Sequence, residues 1–373
     1  MKIVMTGGGT GGHVNPALAI ADLFRSREED VEISFVGTPR GIENKLVPKA
    51  GYPLYHVDVR PLSRKFTLSN LRTAALAVTS VFRAKKLLKK LKPDLVVGTG
   101  GYVCWPVVKA ASQLGIPTAL HEANAFPGLT TRMLEKYTDL FLVCFEETKQ
   151  YLKSPEKAIT VGNPTNPVFA SIDPEAERKK VGQNGRYRKI LLSCGGSMGA
   201  EQVNFNVLDV MEKYSSRHPE LLHIHGTGSI EYEIAKGKFA EMGLEQYPNL
   251  DLREYLFDMP SLMAASDLVI NRAGSMTLSE LQLLGKPAIL IPSPNVTDNH
   301  QYKNAKVLAD AGGAVLIEEK DLTEGVLAAK VEELLSSPET LSAMSRAMAA
   351  SAKRDAGEKI YNLLKTLVQN QKM

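Results

Sequence analysis

Short apolar runs alternate along this chain with longer stretches whose apolar positions recur at helical spacing. The runs predict strands over Lys2–Thr6, Glu32–Val36, Leu95–Val97, Thr118–Leu120, Leu140–Val143 and Ala158–Val161. A second series follows over Lys189–Ser193, Leu222–Ile224, Leu250–Leu252, Leu268–Ile270, Ala288–Ile291 and Ala314–Leu316. Strands that look buried on both faces and alternate with helices predict α/β units and parallel sheets. Two such series predict two Rossmann-like halves. A faint internal repeat agrees. Met5-Thr6-Gly7-Gly8-Gly9-Thr10-Gly11-Gly12 is similar to Leu192-Ser193-Cys194-Gly195-Gly196-Ser197-Met198-Gly199, each at a strand end before a helical pattern. Pro and Asn cluster at Gly162-Asn163-Pro164, which places the boundary there and predicts domains over 1–164 and 165–349.

Length and composition narrow the class. The 373 residues exceed what one core usually supports, and 44% hydrophobic with 23% charged residues is ordinary globular composition. No apolar stretch is long enough to cross a bilayer. The Met1–Met5 start runs directly into glycines and predicts no signal peptide. Three scattered cysteines, Cys104, Cys144 and Cys194, predict a reducing compartment and no disulfide or zinc framework. Net charge is only +4, but Val59 through Lys92 holds no acid and many Lys and Arg. Such a patch attracts phosphates, nucleic acid or an anionic membrane.

In open α/β sheets, ligands bind beyond the carboxyl ends of the strands. Those ends are glycine-rich or polar here: Gly7–His13, Gly98–Tyr102, His121–Asn124, Cys194–Gly199, His225–Gly228, Asn271–Thr277 and Asn295–Gln301. Gly7, Gly9 and Gly12 match G-x-G-x-x-G, and Asn15-Pro16 predicts a helix cap behind them, an arrangement that binds anions. The second strand ends Val36-Gly37-Thr38 without an acid, which argues against a dinucleotide. His13 fits either a general base or phosphate ligand, or a cap on the following turn. His121-Glu122 fits an acid/base pair or a satisfied buried histidine with its neighbour. Arg272 is suited to a diphosphate. Thr277-Leu278-Ser279-Glu280 fits a capping box, and Glu280 alternatively a carboxylate accepting from ribose hydroxyls. No D-x-D or H-E-x-x-H motif occurs, so no obligatory metal or other cofactor is expected.

Leu68 to Lys92 predicts one long helix with two stripes. Ala74, Ala77, Val81, Ala84, Leu88 and Leu91 suit a core. Leu68, Leu71, Ala75, Val78 and Phe82 lead into Lys85, Lys89 and Lys92, which suits either an anionic lipid surface or a wide buried face with a solvated end.

Taken together, Gly7 to His13, Gly98-Thr99-Gly100-Gly101-Tyr102, His121-Glu122-Ala123-Asn124, Gly195 to Ala200, Arg272-Ala273-Gly274 through Glu280, and Asp298 to Ala305 resemble the MurG family, nearly end to end. The resemblance implies a GT-B glycosyltransferase with two Rossmann-like domains of parallel sheets facing an interdomain cleft. The last helix, within 350–373, would pack back on the first domain. It implies inverting transfer of N-acetylglucosamine from UDP-N-acetylglucosamine to the 4-hydroxyl of the muramoyl sugar of lipid I, giving lipid II for peptidoglycan. Ser197, Leu256, Arg272, Met276, Thr277, Glu280, His300, Gln301 and Asn304 would bind the donor. Thr10, Gly11, Gly12, His13, Tyr102 and Asn124 would meet the acceptor. His13 is the first candidate base, with His121 and Glu122 second. Leu71, Val78, Phe82, Lys85 and Lys89 would touch the cytoplasmic face of the cell membrane as a peripheral contact. Partners would be the two substrates, the anionic membrane and other cell-wall synthesis proteins, with no nucleic acid. Thr165 and Asn166 stand where the family places an arginine, and Met198 and Ala123 where glutamine is common. Rival readings are another lipid glycosyltransferase and a non-catalytic UDP-sugar-binding protein.

Overall fold

The computed structural model describes residues 1–60, 69–196 and 198–371, without the side chains of 69–78. Two compact units form, Met1–Thr165 with Asp355–Met373, and Asn166–Arg354.

The first unit holds a seven-stranded parallel sheet: β1 Lys2–Thr6, β2 Glu32–Gly37, β3 Leu54–His56, β4 Leu95–Gly98, β5 Thr118–Glu122, β6 Leu140–Val143 and β7 Ala158–Thr160, in the order β3-β2-β1-β4-β5-β6-β7. The sequence pattern misses β3. Leu54-Tyr55-His56 is too short to show a period, and it pairs only at the sheet edge. Because side chains alternate across a strand, Ile3 and Met5 face one layer and Val4 the other. The first layer packs Val14, Ala17, Ile20 and Phe24 from the Gly11–Arg25 helix, together with Ile360, Leu364 and Val368. The second packs Val81, Ala84 and Leu88 from the Ser69–Leu91 helix.

Ile360, Leu364 and Val368 come from the last helix, Ala356–Asn370. Each such buried side chain contributes about 2 kcal/mol, so this chain end belongs to the first unit's core. Its position is aligned by Arg27–Glu358 at 2.8 Å and by Lys365 on Glu28.

The second unit holds six parallel strands: β8 Lys189–Cys194, β9 Leu221–Gly226, β10 Leu250–Arg253, β11 Leu268–Asn271, β12 Ala288–Leu290 and β13 Ala314–Leu316, ordered β10-β9-β8-β11-β12-β13. Ahead of β8 lie a short helix, Val168–Ser171, and the Pro174–Val181 helix, whose N-cap Asp173 accepts from the N–H groups of Glu175 and Ala176. In both sheets the strand order reverses beside the first strand of the unit. That reversal separates the loops on either side, so it is where an α/β sheet binds ligands. It falls between β1 and β4, where Thr6 pairs with Gly98, and between β8 and β11, where Cys194 pairs with Asn271. Among the described residues, no helix is long and apolar enough to cross a membrane.

Candidate active site

At the first reversal, the loops after β1 and β4 lie against each other. Gly8 N–H donates to Gly100 O at 3.3 Å. Gly101 has φ +83°, and a Cβ there would stand 2.2 Å from Gly8 O, so a side chain would push the loops apart. The helix begins at Gly11, earlier than the cap predicted at Asn15-Pro16. A tertiary contact accounts for the difference: Thr99 Oγ1 donates to His13 O at 2.7 Å and holds the first turn wound. Pro16 is therefore inside the helix.

His13 folds back over the loop. Its Nδ1 is 3.1 Å from Gly8 O and 3.2 Å from Thr10 Oγ1. A carbonyl only accepts, so Nδ1 carries a proton. Thr10 and Gly12 are exposed and Gly11 half-buried, and the ring of Tyr102 lies next to Gly9. The first N–H groups of a helix have no partner within it, so this turn can receive a phosphate.

His121 and Glu122 do not reach that surface. They are 1% and 5% exposed. His121 Nε2 is 3.1 Å from Gly162 O, and burial holds the imidazole below its ordinary range. Glu122 accepts from Asn124 N and Nδ2, Gly128 N and Thr131 Oγ1. The acid/base expectation for this pair gives way to a structural one: the carboxylate organises the loop that presents the half-buried Asn124.

At the second reversal, the loops after β8 and β9 interlock. A Cβ on Gly199 would stand 2.4 Å from Thr227 O, and one on Gly228 would stand 2.0 Å from Gly199 N. Ser197 lies outside the described residues. Leu256 is buried against Gly226. Met276 and Thr277 lie in the first turn of the Ser275–Leu284 helix, which Gly274 caps. This start excludes the predicted capping box, because Glu280 falls past the first turn. Among the described residues, its carboxylate has no hydrogen-bond partner, and burial pushes it up to about 7.

Arg272 is engaged within the second unit. Its guanidinium pairs with Glu319 at 2.6 Å and donates to Ile291 O and Pro292 O at 3.2 Å each. With those N–H donors engaged, it clamps the ends of β11 and β12 to the loop after β13. Asp298 and Asn299 take left-handed φ of 56° and 51°, tolerated by these residue types, and turn the chain into the His300–Asp310 helix. There His300 Nδ1 meets Thr297 O at 2.8 Å and Gln301 Oε1 accepts from Ser293 N at 2.8 Å. Asn304 is fully buried and donates to Ala273 O.

Two features escape the sequence reading. Glu43, from the Glu43–Lys49 helix, inserts a fully buried carboxylate under the first glycine loop. The only signal was the concentration of glycines at 8, 37 and 41. In the second unit a buried chain runs Ser215, His223, Ser193, His225, Asn204, with links of 2.9, 3.0, 2.9 and 3.1 Å.

Two doubly wound parallel α/β domains, each with a glycine loop at its strand reversal, define a two-domain Rossmann-like protein. Residues 3–142 match the glycosyltransferase family 28 N-terminal domain, and residues 190–360 match the family's C-terminal domain. The chain belongs to glycosyltransferase family 28. It is 40% identical over 370 residues, 99% of each chain, to the UDP-N-acetylglucosamine–N-acetylmuramyl-(pentapeptide) pyrophosphoryl-undecaprenol N-acetylglucosamine transferase of Acetivibrio thermocellus. It is 39% identical to the protein of that name from Ruminiclostridium cellulolyticum, over 99% of this chain and 100% of the other. The crystal structure of Acinetobacter baumannii MurG superposes with a TM-score of 0.77 at 29% identity, covering 98% and 99% of the two chains. A UDP-N-acetylglucosamine 2-epimerase from Neisseria meningitidis is similar in fold alone, with a TM-score of 0.66 at 17% identity over 98% and 100%.

Proposed function

We propose that this enzyme transfers N-acetylglucosamine from UDP-N-acetylglucosamine to the 4-hydroxyl of the muramoyl sugar of lipid I, with inversion, giving lipid II. The full-length likeness to transferases of that name carries the reading. The acceptor diphosphate binds at the turn Thr10-Gly11-Gly12, with Tyr102 and Asn124 nearby. The donor binds at the second unit's reversal. Its ribose hydroxyls donate to Glu280, its diphosphate meets Ser197 and the first turn at Met276 and Thr277, and its sugar lies toward His300 and Gln301. Leu256 backs the uracil, and Asn304 supports the Ala273 loop from below. Arg272 acts as the clamp of that loop.

The acceptor oxygen attacks the anomeric carbon, the bond to the phosphate oxygen breaks in line, and UDP leaves. His13 Nε2 takes the hydroxyl proton, a contribution of about 10²–10⁴ in rate. Fixed N–H groups at the helix start stabilise charge growing on UDP. The enzyme works from the cytoplasmic face of the membrane, where lipid I is tethered. Phe82, 65% exposed, with the exposed Lys89 and half-buried Lys85, touches anionic lipid. The side chains of Leu71 and Val78, the other apolar residues expected in that contact, lie outside the described residues. The test is transfer of radiolabelled sugar from UDP-N-acetylglucosamine to lipid I. Donor hydrolysis that does not depend on lipid I would remove this reading.

A further inference from the structure

The peptide group joining Gly8 to Gly9 has both ends occupied by side chains. Its N–H, on Gly9, donates to Glu43 Oε2 at 3.0 Å. Its carbonyl, on Gly8, faces His13 Nδ1 at 3.1 Å. A trans peptide is planar, with N–H and C=O pointing in opposite directions. One rigid unit therefore connects a buried carboxylate to the imidazole.

The carboxylate is built in. Its other oxygen, Oε1, accepts from Thr38 N and Thr38 Oγ1, both at 2.8 Å. Glycines from three segments clear its volume. A Cβ on Gly8 would stand 2.7 Å from Oε1, one on Gly37 2.6 Å from the Glu43 Cγ, and one on Gly41 1.9 Å from Oε2. No side chain fits at any of the three without displacing the carboxyl group. Burial alone would push this carboxyl up, but the Gly9 and Thr38 donors outweigh it and hold it below the ordinary range. Glu43 is ionised at neutral pH although fully buried.

We propose that Glu43 is a positioning residue for the base, acting on His13 through the Gly8–Gly9 peptide as a carboxylate–peptide–imidazole relay. The inference rests on His13 being the base. Hydrogen bonds in series polarise one another. A negative charge on the N–H side makes Gly8 O a stronger acceptor, fixes the proton on Nδ1, and keeps Nε2 directed to the acceptor hydroxyl. It also stabilises the imidazolium once Nε2 has taken its proton. Thr38 orients the carboxylate from below. The other ionisable groups on these loops are Arg40, exposed between Thr38 and Gly41, Tyr102, next to Gly9, and Cys104, whose thiol bonds Gly100 O and is pushed up to about 12 by burial. Glu122 lies further along the sheet edge.

The test uses the full chain and its Glu43→Gln and Thr38→Val variants. The His13 imidazole is titrated by NMR, and kcat is followed against pH with a short-chain lipid I analogue. Glu43→Gln is expected to lower kcat about 10–100-fold and to leave the KM for UDP-N-acetylglucosamine within about twofold. It should move both the imidazole titration and the acidic limb of kcat down by about one pH unit. Thr38→Val should shift both in the same direction by less, and it decides the matter if Glu43→Gln does not fold. An imidazole titration unmoved in the folded variants overturns the relay, whatever the turnover. His13→Ala probes the base reading separately: near wild-type turnover there removes the base, while a shifted titration would still establish the coupling.

Discussion

Arg272 and Glu319 close a salt bridge at 2.6 Å, with side chains only 13% and 18% exposed. The bond joins the end of β11, just before the Ser275–Leu284 helix, to the segment after β13. An arginine so committed holds the site's frame.

Removing Arg272 would leave the Glu319 carboxylate without its counter-charge in a partly dry position. Arg272→Ala should cost roughly 3 kcal/mol, read by urea denaturation of the second unit. Glu319→Gln separates the two roles of the arginine. As a clamp, Arg272 loosens and the KM for UDP-N-acetylglucosamine rises several-fold. If the guanidinium instead bound the diphosphate directly, releasing it from Glu319 would lower that KM.

If Glu280 receives the ribose as proposed, donor binding should depend on pH. Burial raises its carboxyl to about 7, so the empty site holds a proton below that pH. In the proposed binding mode ribose hydroxyls donate to the ionised form, so binding would expel the proton. Affinity for UDP-N-acetylglucosamine should rise as pH increases toward 7, by up to about tenfold per unit, then level off. Calorimetry in buffers of different ionisation enthalpy would detect the released proton. The same profile in Glu280→Gln would defeat the assignment.

The buried histidine chain makes the second unit acid-sensitive. Burial holds His225 down at about 4, and His223 lower than its ordinary range. Unfolded histidines take protons near pH 6.5, so this contribution to stability is complete above 6.5 and is lost as pH falls toward 4. His225 alone should cost roughly 3 kcal/mol across that window. Urea midpoints at pH 7.5 and 5 would show it. Ser193→Ala removes the link between the rings at about 1–3 kcal/mol.

Membrane contact should depend on charge. Each lysine near an anionic surface adds about 1 kcal/mol, roughly fivefold in partitioning. Lys85→Glu with Lys89→Glu should sharply reduce flotation with anionic vesicles. Phe82→Ser should weaken binding to neutral and anionic vesicles alike. Recovery of the charge variant equal to that of wild type would dismiss electrostatic docking.

Much of the fold was legible from local pattern. Buried parallel strands such as Leu95–Gly98 announce themselves by unbroken apolar runs, and glycines at Gly7–Gly12 and Gly195–Gly199 mark where strands turn into helices. The family motifs are contiguous segments, so they too survive in one dimension. Tertiary structure decided which polar residues face outward. Nothing local distinguishes His121, sealed behind Gly162, from His13, folded over a glycine turn. Nor does it show that Glu280 lies too far along its helix to cap it, or that Arg272 already has a carboxylate partner. Glu43 is the plainest case. The end of β2 carries no acid of its own; the carboxylate arrives from the next helix into space that Gly8, Gly37 and Gly41 leave open. Apolar periodicity specifies strands and helices because each is a local solution to burial. A polar side chain's role depends on partners brought to it by other segments, and only the assembled tertiary structure supplies those.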